Sequence, residues 1–150
     1  MTLVQGDRDA RVSTHPSHED DELRGRTYAV PFDAVWTAAL RLAGGGLARW
    51  RVTRAEDVPG VIQAEVRPLL RGGATDVLIR IGLDRDGQTR VDLVASSRAR
   101  RGGRRGSRRL TRRFLRALDR DLATSRGGAP AARRPAASSG GRVPGTGAHA

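Results

Sequence analysis

Hydrophobic positions recur along the chain with two different periods, and the longer period predicts a helix before the strands. Between residues 31 and 43 the apolar positions are spaced by three and four, which places them on one face of an α-helix. They are Phe32, Trp36, Ala39, Leu40 and Ala43. Pro31 suits the first helical position, and the glycine run at residues 44–46 is expected to end the helix.

Four later segments alternate between apolar and polar residues, as half-buried β-strands do. They are RWRVT, VIQAEVRP, TDVLIRIGL and QTRVDLVAS, with a Pro-Gly turn at residues 59–60 and an Asp-Gly turn at residues 86–87. The pattern predicts an antiparallel meander of four strands. The positions expected to face inward are Trp50, Val52, Ile62, Ala64, Val66, Val77, Ile79, Ile81, Leu83, Val91, Leu93 and Ala95.

A second helix is predicted after the strands, because Leu110, Phe114, Leu118 and Leu122 recur at intervals of four. Ser107 is its expected N-cap. Burial of this apolar seam contributes roughly 6–10 kcal/mol, whereas repulsion between arginines on the other faces costs roughly 1–2 kcal/mol, so the helix needs no bound anion. The predicted fold is α+β: a four-stranded antiparallel meander with an N-terminal and a C-terminal helix packed on one face.

The chain divides into three predicted segments. Residues 1–25 lack periodicity, contain the acidic cluster HEDDE at residues 18–22, and are expected to be disordered. Residues 26–122 form a single α+β domain. Residues 123–150 are rich in Gly, Ala, Pro and Ser, have no apolar face, and are expected to be a disordered tail.

Charge is distributed unevenly among these segments. All 28 basic residues are arginine, and the net charge is +12. The domain holds 21 arginines and ten acidic residues, whereas residues 1–25 hold three arginines and six acidic residues. A GC-rich genome explains arginine in place of lysine, but it does not explain the excess of basic over acidic residues.

Composition also excludes several classes of protein. Without cysteine there is no disulfide framework, thiol chemistry or cysteine-ligated zinc. No run approaches the roughly 18 apolar residues of a membrane span. The acidic N-terminal stretch lacks the layout of a signal peptide, so a cytoplasmic location is expected.

Residues suited to catalysis or metal binding are few. His15 and His18 stand beside the carboxylates of residues 19–21, where a hydrated charge cluster is expected in place of a metal site. The third histidine, His149, lies in the tail, so nucleophilic catalysis lacks a general base. No phosphate-binding or dinucleotide motif is present. We predict a non-enzymatic protein with no catalytic residues, no metal site and no cofactor.

Several pieces of the domain stand in a characteristic order: RTYAVPFDAVWTAALRLA, Trp50, GVIQAE, DVLIRI, GQTRVDLVASSR and RRFLRALDRDL. In this order the chain resembles the bacterial family of domain of unknown function 1499 (DUF 1499), over roughly residues 26–122. The resemblance implies a small soluble domain and no settled activity.

The chain departs from that family at two places. The family follows its Ser-Arg with a Gly-Arg-x-Asp-x-Gly-x-Asn-like loop, and here Arg98 and Arg101 match the arginines, while Gly103 and Ser107 stand near the Asp and the Asn. The Asp-Asp pair before the third strand is reduced to Thr-Asp at residues 75–76. If this loop and this pair form the family's site, the site is altered in this chain.

Ten arginines in the loop and helix of residues 98–116 are the candidate anion-binding site. Such a cluster neutralises phosphates without reading base sequence. It consists of Arg98, Arg100, Arg101, Arg104, Arg105, Arg108, Arg109, Arg112, Arg113 and Arg116. The nearby aromatic residue, Phe114, lies on the predicted buried face and offers no stacking platform for bases. Compositional drift on a basic helix face produces the same string, and that alternative stays open.

Two functions are consistent with these observations. The first is a non-enzymatic binding or structural role for a domain of the DUF 1499 type. The alternative is nonspecific binding of a polyanion or nucleic acid through residues 98–116. The acidic residues 18–22 are also a candidate intramolecular partner for the arginine-rich helix. Neither the ligand nor the oligomeric state follows from the sequence.

Overall fold

The computed structural model describes residues 11–70 and 72–127, and this part of the chain is an α+β fold with six strands and two α-helices. In chain order its elements are β1 (Arg11–Ser13), a 3₁₀ turn (Asp21–Leu23), β2 (Arg26–Tyr28), α1 (Phe32–Arg41), a π-helical turn (Leu42–Gly46), β3 (Trp50–Glu56), β4 (Val61–Val66), β5 (Thr75–Leu83), β6 (Thr89–Ser97) and α2 (Gly103–Gly127). Over the described residues, neither helix is both long and apolar enough to cross a membrane.

The six strands form one antiparallel sheet in the order β1-β6-β5-β4-β3, and β2 also pairs with β6. Strands β3 to β6 are the predicted meander. The prediction of four strands is wrong because β1 and β2 add to the outer edge of β6. Each is only three residues long, which is too short to show an alternating pattern in the sequence.

The apolar face of the sheet forms the core together with both helices. Ile62, Ile79 and Leu93 lie opposite one another on β4, β5 and β6, and all three are fully buried. They belong to one cluster with residues of α1 and α2, so both helices cover the same face. Leu83 was expected to face inward, but it is 66% exposed because it lies at the hairpin end of β5.

The buried face of α1 is rotated relative to the predicted one. Its centre is formed by Val35, Ala38 and Ala39, which are buried. The aromatic rings of Phe32 and Trp36 stack at 5.9 Å between centroids and are only half-buried at the edge of this face. The predicted face included these large aromatic residues, whereas smaller side chains allow α1 to approach the sheet closely.

Helix α2 is longer than predicted at both ends. It begins at Gly103 after Gly102, whose φ of 69° favours glycine, and not at Ser107. Ser107 is buried inside the helix, where its carbonyl oxygen accepts a hydrogen bond of 2.9 Å from the Thr111 hydroxyl. The helix continues to Gly127, so residues 123–127 are helical and not part of a tail.

The predicted apolar seam of α2 is largely confirmed. Phe114, Leu118 and Leu122 are buried, and Leu110 is half-buried. The Phe114 ring stacks on Trp50 at 5.3 Å between centroids. The seam therefore joins the helix to the first strand of the meander.

Residues 11–25 pack on the domain, in contrast to the predicted disorder. Val12 pairs with Ala95 of β6, and both Val12 and Leu23 are buried. The Thr14 hydroxyl accepts a 2.8 Å hydrogen bond from the backbone N–H of Leu93. These isolated anchors have no periodicity, so the sequence pattern did not reveal them. The rest of the segments predicted to be disordered, residues 1–10 and 128–150, lies outside the described residues.

Candidate functional site

The charged surface of α2 has two flanks that differ in their surroundings. Arginines at 108, 112 and 116 lie on one side of the helix, and arginines at 105, 109 and 113 lie beside them, because residues four apart share a face. We call the first set the paired flank, Arg108, Arg112 and Arg116. We call the exposed arginines of the other side, of the first turn of α2 and of the preceding loop the open cluster: Arg100, Arg101, Arg104, Arg105, Arg109 and Arg113.

The paired flank lies against the acidic N-terminal segment. Asp20 Oδ2 accepts hydrogen bonds from Arg108 Nη2 at 2.5 Å and from Arg112 Nη2 at 2.6 Å. Glu22 forms ion pairs with Arg112, at 2.6 Å between Nε and Oε2, and with Arg116. Two carboxylates therefore hold three guanidinium groups.

Asp20 connects the N-terminal segment to α2. Its Oδ1 atom accepts a 3.0 Å hydrogen bond from the backbone N–H of Glu22, which caps the 3₁₀ turn. Hydrogen bonds from Arg108 and then from Arg112 lower the pKa of Asp20 below its ordinary value. The carboxylate therefore remains ionised at neutral pH and holds both guanidinium groups.

Two carboxylates in the C-terminal half of α2, Asp119 and Asp121, pair with residues of other elements. Asp119 accepts a 2.6 Å hydrogen bond from the Tyr28 hydroxyl and one of 3.3 Å from Arg26 Nε. Burial, followed by the hydrogen bond to Asp119, raises the pKa of Tyr28. Asp121 pairs with Arg41 at the end of α1. These contacts attach β2 and α1 to the helix.

Arg98 lies apart from the other nine candidate arginines, next to two carboxylates of the sheet. Its Nε and Nη2 atoms donate to Asp76 at 2.9 and 2.5 Å, and Nη2 also donates to Glu65 at 3.3 Å. Glu65 and Asp76 are register partners on β4 and β5. The hydrogen bonds that Arg98 donates to Asp76, together with the negative charge of Asp76, raise the pKa of Arg98.

Among the described residues, the open cluster has no carboxylate partners. Within residues 11–70 and 72–127, none of its six arginines forms an ion pair, and all six are exposed. A groove of about 710 Å³ runs along the helix between the two flanks, and its acidic lining residues are Glu22 and Asp119. The surface can attract an anion, but Phe114 is buried and provides no ring for base stacking.

The two described histidines, His15 and His18, accept hydrogen bonds from nearby backbone groups. His15 Nδ1 accepts from the backbone N–H of Ser17 at 3.2 Å, and His18 Nδ1 accepts from that of Asp20 at 3.0 Å. In the part of the chain that the structure describes, no three side chains of the metal-binding types come together. His149 lies outside the described residues.

Comparisons with known proteins add no relative to this description: no family model matches the chain, and neither a curated protein nor a solved structure is significantly similar to it.

The sequence pattern gives no basis for distinguishing the ten candidate arginines. In the structure they fall into two groups, those with a carboxylate partner and those without one among the described residues. Four of them, at positions 98, 108, 112 and 116, form ion pairs within the chain. The ion pairs of Arg98 could have been predicted from the sequence. The predicted meander places Glu65, Asp76 and the end of the last strand next to one another. The contact between Tyr28 and Asp119 had none, because 91 residues separate the two.

Proposed function

We propose that this chain is a non-enzymatic binding domain that resembles DUF 1499 over residues 26–122, and that its ligand is a polyanion such as nucleic acid. The observation that carries this proposal is the open cluster, six exposed arginines without carboxylate partners among the described residues. Phosphate groups spaced along a nucleic acid are suited to such a row of guanidinium groups. The expected cytoplasmic location gives this surface access to nucleic acid.

The binding we infer is independent of base sequence. Guanidinium groups that contact phosphates fix position, whereas base recognition needs contacts to base edges or stacking rings. The arginines of the open cluster lie on the loop before α2, on its first turn and on one flank of the helix, and the aromatic side chain of the helix, Phe114, is in the core. Sequence-independent electrostatic attachment is therefore the mechanism this surface supports.

A purely structural role for the arginines of α2 is the second candidate. The paired flank supports it, because Asp20 and Glu22 hold the N-terminal segment on the domain through three arginines. A structural role explains the arginines of the paired flank, but it does not explain the six arginines of the open cluster.

A salt titration of duplex DNA binding tests the proposal. If all six arginines of the open cluster contact phosphates, the slope of log K against log salt concentration reaches about −5. The Arg104→Gln/Arg105→Gln variant removes two of these contacts and should lower the magnitude of the slope by about 2. The matched control is Arg51→Gln/Arg54→Gln, which removes the same charge from β3, where both arginines pair with glutamates. The control should leave the slope nearly unchanged.

Two results would refute polyanion binding through the open cluster. One is a dissociation constant that stays near the millimolar level in low salt. The other is an equal loss of slope in the two variants, because overall charge would then act in place of a defined surface.

A further inference from the structure

A second cleft lies near the N-terminal end of α2, outside the paired flank. It has a volume of about 270 Å³ and is bounded by the ends of β3 and β4, the chain that follows β4, and the first turns of α2. Its apolar lining includes Trp50 and Val66, which are buried, and Leu110, which is half-buried. Leu69 stands at its edge and is 79% exposed.

Four arginines line this small apolar cleft: Arg49, Arg67, Arg109 and Arg113. The backbone N–H of Arg67 donates to the carbonyl oxygen of Arg49 at 3.0 Å, which places these two residues opposite each other beside the end of the β3–β4 pair. Among the described residues, none of the four guanidinium groups has an ion-pair partner. Like charges around one cavity repel each other, and an anion between them removes that repulsion.

Glycines form the part of the cleft wall at the start of α2, where they contribute no side chains. Gly102, Gly103 and Gly106 line it, and a Cβ atom at Gly106 would meet nothing within 4 Å. Glycine is unfavourable inside a helix, and here no neighbouring atom requires it. Because Gly106 lines the cleft, a larger residue at this position would place its side chain in the open space at the cleft.

We propose that this cleft binds a small amphiphilic anion, with a phosphate or carboxylate held by the arginines and a short apolar body against Trp50 and Leu110. The volume of about 270 Å³ lies just below the roughly 300–1,000 Å³ that is usual for ligand pockets, so the body is no larger than a single unbranched alkyl chain. This goes beyond polyanion binding, because the phosphate backbone of a nucleic acid has no apolar part to fill the cleft. Arg49 and Arg67 lie in this cleft and outside the open cluster.

Calorimetric titration with octyl phosphate, inorganic phosphate and octanol tests the proposal on the full chain. Octyl phosphate should bind about tenfold or more tightly than either of the other two, because only it satisfies both the arginines and the apolar lining. In a Trp36→Phe background, the fluorescence of Trp50 should change on binding. Equal affinity for octyl phosphate and inorganic phosphate would overturn the proposal.

Two double variants separate this site from the DNA-binding surface. Arg49→Gln/Arg67→Gln should weaken octyl phosphate binding about tenfold and leave the salt slope for DNA unchanged. Arg104→Gln/Arg105→Gln should have the opposite pattern, because neither residue lines the cleft. If both variants weaken octyl phosphate binding equally, general charge attraction explains it and the cleft does not.

Gly106→Leu provides a test that keeps every charge in place. Leucine favours the helix and projects into open space, so the fold should be retained. It should abolish most octyl phosphate binding by filling the cleft. Undiminished binding in this variant, with an unchanged melting temperature, would contradict the proposed location.

Discussion

The two flanks of α2 carry the same residue type at the same spacing, but they differ in what lies opposite them. Arg112 contacts Asp20 and Glu22, whereas its neighbour Arg113 has no ion-pair partner among the described residues. The carboxylates come from a segment about 90 residues earlier in the chain. The number of arginines in a helix therefore does not determine how much charge it offers a ligand; the path of the rest of the chain does.

The largest expected effect comes from removing the carboxylates that distinguish the flanks. In Asp20→Asn/Glu22→Gln the three arginines of the paired flank become available to phosphates. The magnitude of the salt slope for duplex DNA should then rise from at most about 5 to about 8, with tighter binding in low salt. The slope is measured as for the wild-type chain.

The control for that variant is Asp33→Asn/Asp86→Asn, which changes net charge equally at two exposed carboxylates far from α2 in the sequence. Its slope should match that of the wild type. If Asp20→Asn/Glu22→Gln gave the wild-type slope as well, the difference between the flanks would have no bearing on binding.

A smaller effect is expected when one arginine is removed from each flank in turn. Arg112→Gln should lower the free energy of unfolding by about 1–2 kcal/mol, because it removes a charged hydrogen bond to Asp20 and an ion pair with Glu22 at a half-buried position that solvent partly screens. Arg113→Gln should change it by no more than about 0.5 kcal/mol. Urea denaturation measures both, and equal effects would show that the ion pairs of the paired flank do not stabilise the fold.

The smallest effect concerns acid pH. The pKa of Asp20 is lower in the folded state than its ordinary value of 3.8, so its contribution to stability is present above that value and is lost as the pH falls through the folded pKa. The difference in melting temperature between the wild type and Asp20→Asn should be constant near neutral pH and disappear below 3.8. A difference that already changes between neutral pH and about pH 5 would contradict the assignment.

Much of the fold was predictable because its main elements carry strong local patterns. The strands β3 to β6 alternate and are separated by turn signals, and the seam of α2 recurs every four residues. The start of α2 was not predictable from Ser107, because that residue is buried, while Gly102 provides the left-handed turn before the helix. Strands β1 and β2 depend on the free edge of β6, which exists only once the sheet has formed.

The sequence predicts where the candidate site lies, but it does not predict which of its arginines have carboxylate partners. Charge and spacing located the arginines between residues 98 and 116, and the complementary charge of residues 18–22 indicated a partner. Which arginines that partner holds depends on how β1 and the 3₁₀ turn direct Asp20 and Glu22 toward α2. The sequence pattern does not identify Arg49 and Arg67 as part of a site, because each is an isolated basic residue in the sequence.

The arrangement of the sheet edges has a consequence for self-association. A strand edge with free backbone groups is a template for another chain, and proteins protect such edges with short strands, bulges and charges. Here β1 and β2 cover the outer side of β6, and the opposite edge, β3, has a register shift between Val52 and Arg54 and exposed arginines at 51 and 54. Neither edge of the described sheet offers a long flat row for strand addition, so edge-to-edge pairing through these strands is disfavoured.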